Sequence, residues 1–380
     1  MGRYIVMDVV FHGNSLNYDQ GSGNYQELKK ITKWDGRQYT LVSRYALRYS
    51  LLETAKNMGL WEIAEGDKLM FAKGKGGGAQ TVIQPAENIL LSGEILKYPE
   101  FDLFGYLITT TKPQNFRTAP VKISHAVSMT PFNYDALFNA NLGLANRMRK
   151  KHGDMSPNPF TAEEHETFYQ YSIVIDVDNI GEIEVYIEKK DASKLENIKV
   201  PDDIEGRKPE ELEKVITKKY HLKRDGNHDP VKERVEKLVK AVINLKRSIK
   251  GRDEDLSPKL LVVGIYKDNP YRTYKDRITL VDEYIREEFD EIKEEPLKDG
   301  GRLYQVRHIV NKNRKPVFEI ISQKGEQKEI SEKEVLEFIE TLFKENSKEK
   351  EISEVKIFYD PSIEVRLKSV SETQEETANE

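Results

Sequence analysis

The 380 residues contain no cysteine, only two tryptophans, and no apolar run that approaches the length of a bilayer. Without cysteine there are no disulfides, thiol nucleophiles or thiolate-ligated zinc, and the composition suits a reducing cytoplasm. The longest apolar stretches, such as Leu260–Ile265, are far below the roughly 20 residues a spanning helix needs, so no membrane partner is expected. Met1-Gly2-Arg3-Tyr4 leads straight into a strand-like segment, which reads as no signal peptide. Catalytic fingerprints are missing as well. Lys73–Gly78 is glycine-rich but is followed by Ala79-Gln80, so it is no phosphate-binding P-loop, and neither HExxH nor GxSxG occurs. The seven histidines are scattered, and the His228-Asp229 dipeptide is better explained by Asp229 capping a helix. No metal or cofactor is implied.

What is present is a foldable chain with a charged exterior, 38% hydrophobic and 33% charged. The net charge of −5 is unevenly spread. Residues 1–160 carry 19 Lys/Arg against 14 Asp/Glu, and residues 161–380 carry 41 against 51. Phosphates respond to the local field, so a basic first part suits nucleic acid even in an acidic whole.

Arg3–Gly13 reads as a buried central strand, and Asn14–Asn24 as a Gly/Asn/Ser loop suited to positive φ. Leu28–Trp34 and Arg37–Val42 form a hairpin across Asp35-Gly36. Ser43 caps a helix that runs to about Met58 and buries Leu47, Leu51, Ala55 and Met58. Phe101–Thr109 and Val121–Ser128 read as strands, and 129–167 as an irregular insertion. Phe168–Val177 is a strand with which Ile183–Glu188 is expected to pair, and 189–228 reads as a solvated insertion. A helix from Asp229-Pro230 to Gly251 buries Val231, Val235, Leu238, Val242, Leu245 and Ile249, and Leu260–Tyr266 is the next strand. A last helix starts at the Ser331-x-x-Glu334 box and buries Val335, Phe338, Ile339 and Leu342. Residues 371–380 read as a frayed tail. The order gives an α+β fold, a βαββαβ ferredoxin-like unit with a large insertion.

Two constellations suggest anion chemistry. Arg44 and Arg48 lie one turn apart at a helix start, where the macrodipole disfavours cations, so they need anionic company. A phosphate held with the Ser43 hydroxyl would supply it; so would internal pairing with Asp8, Asp19 or Glu27. The second is aromatic and basic interleaving: Phe116-Arg117, Met129, Phe132, Phe138 and the run Arg147-Met148-Arg149-Lys150-Lys151-His152, with Lys29-Lys30 beside the Gly/Asn loop. Exposed apolar groups among cations suit base stacking or wedging, and equally a small satellite core.

In order and spacing, these residues resemble a known family. The loop Asn14–Asn24, Leu28-Lys29-Lys30 and Val42-Ser43-Arg44 come first. Asp102–Gly105, Phe116–Val121, Ser124–Ser128, Phe168-Tyr169, Ile175–Val177 and Ile180-Gly181 follow. Together they resemble the DevR-type backbone subunit of type I CRISPR surveillance complexes, the Cas-seven family, in its I-B branch, over about residues 1–265. The resemblance implies a modified RNA-recognition (RAMP-type) fold. Its palm would be 1–128 and 168–269 with fingers insertions, its thumb 129–167, followed by a C-terminal mixed appendage at 270–370. It further implies non-catalytic, sequence-independent binding of CRISPR RNA by several copies in a helical filament with other Cascade subunits, presenting the guide to target DNA. Carried over by position, Asn14, Asn17, Gly21, Gly23, Asn24, Lys29, Lys30, Ser43, Arg44 and Arg48 would hold phosphates. Phe116 and Arg117 would line the groove, Met129 would be the wedge, and Arg147, Arg149 and Lys150 would lie on the thumb. Two other functions stay open: a metal-dependent ribonuclease using Asp19, and a small-molecule-binding protein on a ferredoxin-like scaffold.

Overall fold

The computed structural model describes residues 2–73, 81–153, 158–196, 198–226, 228–267, 273–281, 288–297, 300, 302–310, 315–322, 325–344 and 354–369. The glycine-rich stretch from 74 and the segment 371–380 lie outside them.

Eleven residues rich in Val, Ile and Phe make β1 (Tyr4–Asn14). A hairpin of β2 (Lys30–Thr32) and β3 (Gln38–Val42) turns at Asp35-Gly36, with Gly36 at φ 74°. Helix α1 (Arg44–Asn57) follows, then β4 (Val121–Ile123), β5 (Ala126–Ser128) and β6 (Glu166–Asp176). Helix α2 (Pro230–Ile243), β7 (Leu260–Tyr266), helix α3 (Glu332–Glu340) and β8 (Glu354–Tyr359) complete the frame.

The central sheet runs Glu326–Glu329, β8, β7, β1, β6, β5, β3, β2, with β4 also paired to β6. Its middle, β7-β1-β6-β5, is antiparallel and carries α1 and α2 in the crossovers, the strand order of a βαββαβ unit. Strand alternation sends Ile5, Met7, Val9 and Phe11 into a core shared with Leu47 and Leu51 of α1, Val235 and Leu238 of α2, and Val335 and Phe338 of α3. The opposite face, with Val10, Leu260 and Val262, packs on Phe318, Ile320 and Ile278 of a small sheet formed by Ile278–Val281, Val317–Ile321 and Glu364–Lys368. The region expected as an appendage thus contributes β8 to the central sheet and α3 to its helical layer.

Several expectations are corrected. Residues 101–104 belong to a short helix, Pro99–Phe104, because Pro99 is preorganised for a first turn and Gly105 ends it at φ 74°. Val121–Ser128 is two strands, interrupted where the Ser124 hydroxyl accepts the Ser172 amide at 2.9 Å. The stretch 129–167 contains regular elements: strands Ala136–Ala140 and Pro159–Glu163 flank a helix, Leu142–His152, capped by Asn141. Glu182–Glu188 pairs with Val215–Leu222, and not with β6. That second sheet buries Ile183, Val185, Ile216 and Tyr220 against Ile89, Leu90 and Leu96, so 189–228 contributes to a core of its own. Helix α2 stops at Ile243; Leu245 is buried beyond its end, and Lys246–Ile249 forms a hairpin with Arg252–Asp255 across Lys250-Gly251. Met58, expected in the buried stripe, is the exposed C-cap residue of α1.

Candidate nucleic-acid interface

The start of α1 is built by three parts of the chain. The Ser43 hydroxyl accepts the Ala46 amide at 3.2 Å, and the Ser43 amide donates to Asn17 Oδ1 at 2.9 Å. The Arg44 amide donates to His125 Nδ1 at 2.9 Å. Ser43 and Asn17 are therefore positioning groups, and the helix offers fewer open N–H groups than its sequence suggests. Asn17 also accepts the Lys29 amide through its carbonyl at 2.8 Å, which ties the loop after β1 to the hairpin.

Arg44 itself is exposed. Its guanidinium lies 5.0 Å from the Tyr45 ring centroid and donates to the Tyr45 hydroxyl at 3.0 Å, and no carboxylate among the described residues pairs with it. The acids that could have neutralised it are occupied elsewhere or apart: Asp8 accepts from Ser172 and the Tyr274 amide, and Asp19 pairs with Lys29 at 2.9 Å. That pairing holds the exposed Asp19 carboxyl below its usual range. Arg48 behaves differently from its neighbour one turn away. It is half-buried over the Phe104 ring at 5.1 Å and reaches the Glu100 carbonyl at 3.5 Å; burial pulls its pKa down, with Glu100 opposing.

Two residues the sequence reading did not select, His125 and Lys275, share the electrostatic surroundings of Arg44, and Lys33 shares those of Lys275. His125 is held below the usual imidazole range by burial, then by the charges of Arg44 and Lys275. Lys33 is lowered by burial, with Asp35 opposing and Lys275 adding to the depression. Burial is the larger cause in both, and at Lys33 the carboxylates of Asp35 and Asp276 offset the charge of Lys275. His125 lies within a recognisable motif; Lys33 and Lys275 carry no local signal, because Lys275 reaches His125 and Lys33 only through the tertiary arrangement.

The loop after β1 is moulded for close approach. Gly21 sits at φ 68°, and a Cβ there would collide with the Tyr25 carbonyl; Gly23 sits at φ 59°. Asn14 accepts the Ser15 hydroxyl at 2.6 Å, and Asn24 is exposed, its carbonyl accepting the Thr161 amide at 2.9 Å. The 136–163 hairpin thereby clasps the loop, with Glu163 as the fastener. Its buried carboxylate accepts Lys30 Nζ at 2.7 Å, the Leu28 amide at 2.8 Å and the Tyr25 hydroxyl at 3.1 Å. Lys30, expected on phosphate, is turned inward to this group and over the Phe132 ring. Met129, the expected wedge, is half-buried beside the core of the small sheet. On the 142–152 helix Arg147 and Arg149 are exposed, as are Leu142, Leu144 and Met148, and Lys150 lies in its last turn.

Phe116 and Arg117 occupy adjacent positions with opposite fates. Phe116 is 70% exposed, opposite Leu107 across a two-stranded ribbon, and lines an open pocket of about 480 Å³. Arg117, expected to line the same groove, also lines this pocket but is half-buried and held by the fold: it pairs with Asp102 at 2.6 Å and donates to the carbonyls of Asp102, Asn179 and Glu182. Asp102 also holds Arg234 at 2.5 Å and the Gly181 amide at 3.0 Å. Among the described residues no group of three or more His, Asp or Glu side chains converges as a metal site would require, and no helix is long and apolar enough to cross a membrane.

A family model described as "CRISPR-associated negative auto-regulator DevR/Csa2" matches residues 5–289. A protein of Myxococcus xanthus, "CRISPR-associated protein Cas7/Cst2/DevR", is 25% identical over 173 residues, which cover 40% of this chain and 50% of that protein. The chain thus spans about half the length of this curated relative. Among solved structures, a chain of a "CRISPR RNA-guided surveillance complex, pre-nicking" is 13% identical with a TM-score of 0.39, over 70% of this chain and 79% of the other. A chain of a "Type IV-B CRISPR Complex" gives 13% identity and a TM-score of 0.28, over 46% and 73%.

Proposed function

The chain belongs to the DevR/Csa2 family of CRISPR-associated proteins, and from that premise we propose that it is a guide-RNA-binding backbone subunit of a CRISPR surveillance complex, reading phosphates and not bases. The observation that carries the proposal is the exposed Arg44, which no carboxylate among the described residues pairs with, at a helix start that Ser43 and Asn17 tie to the glycine-bearing loop after β1, with Lys275 adding positive charge at the neighbouring His125. Cations that find no partner inside a fold are suited to an external polyanion, and contacts to phosphate position RNA without carrying base identity. On this reading the central sheet with α1 and α2 is the palm of a RAMP-type fold. The 129–167 hairpin and helix are the thumb, and the sheet around Ile183 and Tyr220 belongs to the fingers. Copies of the chain would follow one another along the guide, leaving bases open to target DNA.

The test is salt-dependent binding to two unrelated single-stranded RNAs. Each phosphate contact contributes a slope of roughly −0.7 in log affinity against log salt. Arg44→Ala with Lys275→Ala should therefore reduce the slope by about 1.4 and weaken both RNAs equally. An unchanged slope, or a loss confined to one sequence, would overturn the assignment.

A further inference from the structure

Helix α1 carries two hydrophobic stripes of the same period, and only one of them has a core to join. Leu47, Leu51 and Ala55 are buried in the core shared with β1. Tyr45 and Tyr49, also one turn apart, join none of the three cores and are 66% and 61% exposed. Two large rings left in water at a helical period make a face with no partner inside the fold.

The borders of this face are cationic, and direct contacts fix them. Each ring is preceded in the chain by an arginine, Arg44 or Arg48. Each is followed by a residue bonded to Arg247, which donates to the Ala46 carbonyl at 3.4 Å and to the Ser50 hydroxyl at 2.9 Å. Successive helical positions are about 100° apart, so arginines flank the tyrosines on both sides. Arg44 lies along Tyr45, 5.0 Å from the ring centroid, and donates to its hydroxyl at 3.0 Å. The phenol is thus satisfied while most of the ring still meets water. The first turn of α1 holds no acid, and the stripe reaches its first carboxylate at Glu53, a turn beyond Tyr49.

A single-stranded nucleic acid meets both needs of such a face at once. Its bases are flat π surfaces for the rings, and its phosphates bring the charge that no described carboxylate gives Arg44. We propose that Tyr45 and Tyr49 form a stacking platform for two nucleobases of the bound RNA, beside the phosphate held at Arg44. The proposal rests on the RNA-binding reading and adds a second kind of contact to it. Every base has a π face, so stacking tightens binding without selecting sequence. The two side chains leave the helix about 6 Å apart along its axis, against about 3.4 Å between stacked bases, so each ring takes its own base.

The test compares dodecauridylate with an abasic ribose-phosphate oligomer of the same length, both at one low salt concentration. The unaltered chain should bind the oligouridylate more tightly. Tyr45→Ala with Tyr49→Ala should weaken the oligouridylate about 10-fold or more, and leave the abasic oligomer within about 2-fold and the salt slope unchanged. Alanine is the better helix former, so this variant keeps α1. Tyr45→Phe with Tyr49→Phe, which retains both rings, should keep the affinity of the unaltered chain. A 5-iodouridine in the oligomer should cross-link under long-wave ultraviolet light to the peptide bearing Tyr45 and Tyr49. Equal weakening of both oligomers by the alanine pair would overturn the stacking and reduce the rings to supports for Arg44. Unchanged affinity for both would overturn it too, and would assign the face to a protein partner. In either case the RNA-binding reading stands. An unaltered chain that binds neither oligomer would refute that reading, and this inference with it.

Discussion

Asp8 stands on the β1 face turned away from the helices, where its carboxylate accepts the Ser172 hydroxyl at 2.5 Å and the Tyr274 amide at 2.7 Å. Burial raises its pKa from 3.8 to about 6, against these hydrogen bonds and the charge of Arg277. A raised folded-state pKa means that the stability linked to this proton is fully present below pH 3.8 and is lost as pH rises through about 6. The shift corresponds to about 3 kcal/mol. Asp8→Asn should therefore gain stability relative to the parent as pH rises from about 4 to about 6.5, read as a widening difference in denaturation midpoint; a constant difference across that range would refute it. The arginines divide along similar lines. Arg117→Ala leaves Asp102 short of one partner in a dry site and should cost about 3–5 kcal/mol while leaving the RNA salt slope of the folded protein untouched. Arg48→Ala should likewise spare the slope, in contrast to Arg44→Ala. The spacing of Arg44 and Arg48 was legible as a shared face, but their divergence was not. It depends on Glu100 and Phe104, whose helix at 99–104 read as a strand.

Elements with a strong local signature were readable. The caps at Ser43, at Asp229 before Pro230 and at Ser331 all appear in the structure with the capping side chain accepting a first-turn amide, while Glu334 of the expected box accepts Lys328 instead; Ser43→Ala should cost about 1 kcal/mol. Elements defined by their partners were not. Glu182–Glu188 has a clean alternation, but its partner strand, Val215–Leu222, is interrupted by lysines at 218 and 219 and read as solvated chain. The 136–163 hairpin was similarly hidden, because its anchoring is polar: Glu163 fastens it to Tyr25, Leu28 and Lys30. Glu163→Ala should leave a buried amide and ammonium unsatisfied, at about 3 kcal/mol. Amide hydrogen exchange should accelerate at residues 15–30 and 159–165 and stay slow in α2; uniform acceleration everywhere would mean that the carboxylate stabilises the whole fold and not this clasp.

At the scale of the molecule, one core lies between the central sheet and its helices, another under the small sheet, and a third in the module around Tyr220. The first was legible from the seams of β1, α1 and α2. The third was not, because it joins apolar residues near 89–108 to others at 183–222. Helix α3 makes the first core depend on residues beyond 330, so Phe338→Ala should lower global stability by about 3–5 kcal/mol. Loss of the same size measured only as local opening of α3 would show that this helix is an independent unit.

β1 is made before both of the strands it is hydrogen-bonded to, which begin at residues 166 and 260, yet it lies between them in the sheet. While synthesis is under way those neighbours do not yet exist, and Lys275 emerges only after them. The surface proposed for the guide draws on the stretch that holds Asn17 and Arg44, on His125 and on Lys275, so it is put together only after residue 275 has been made. On that reading, a nascent chain that has not reached residue 275 carries Arg44 without the charge that Lys275 brings beside it.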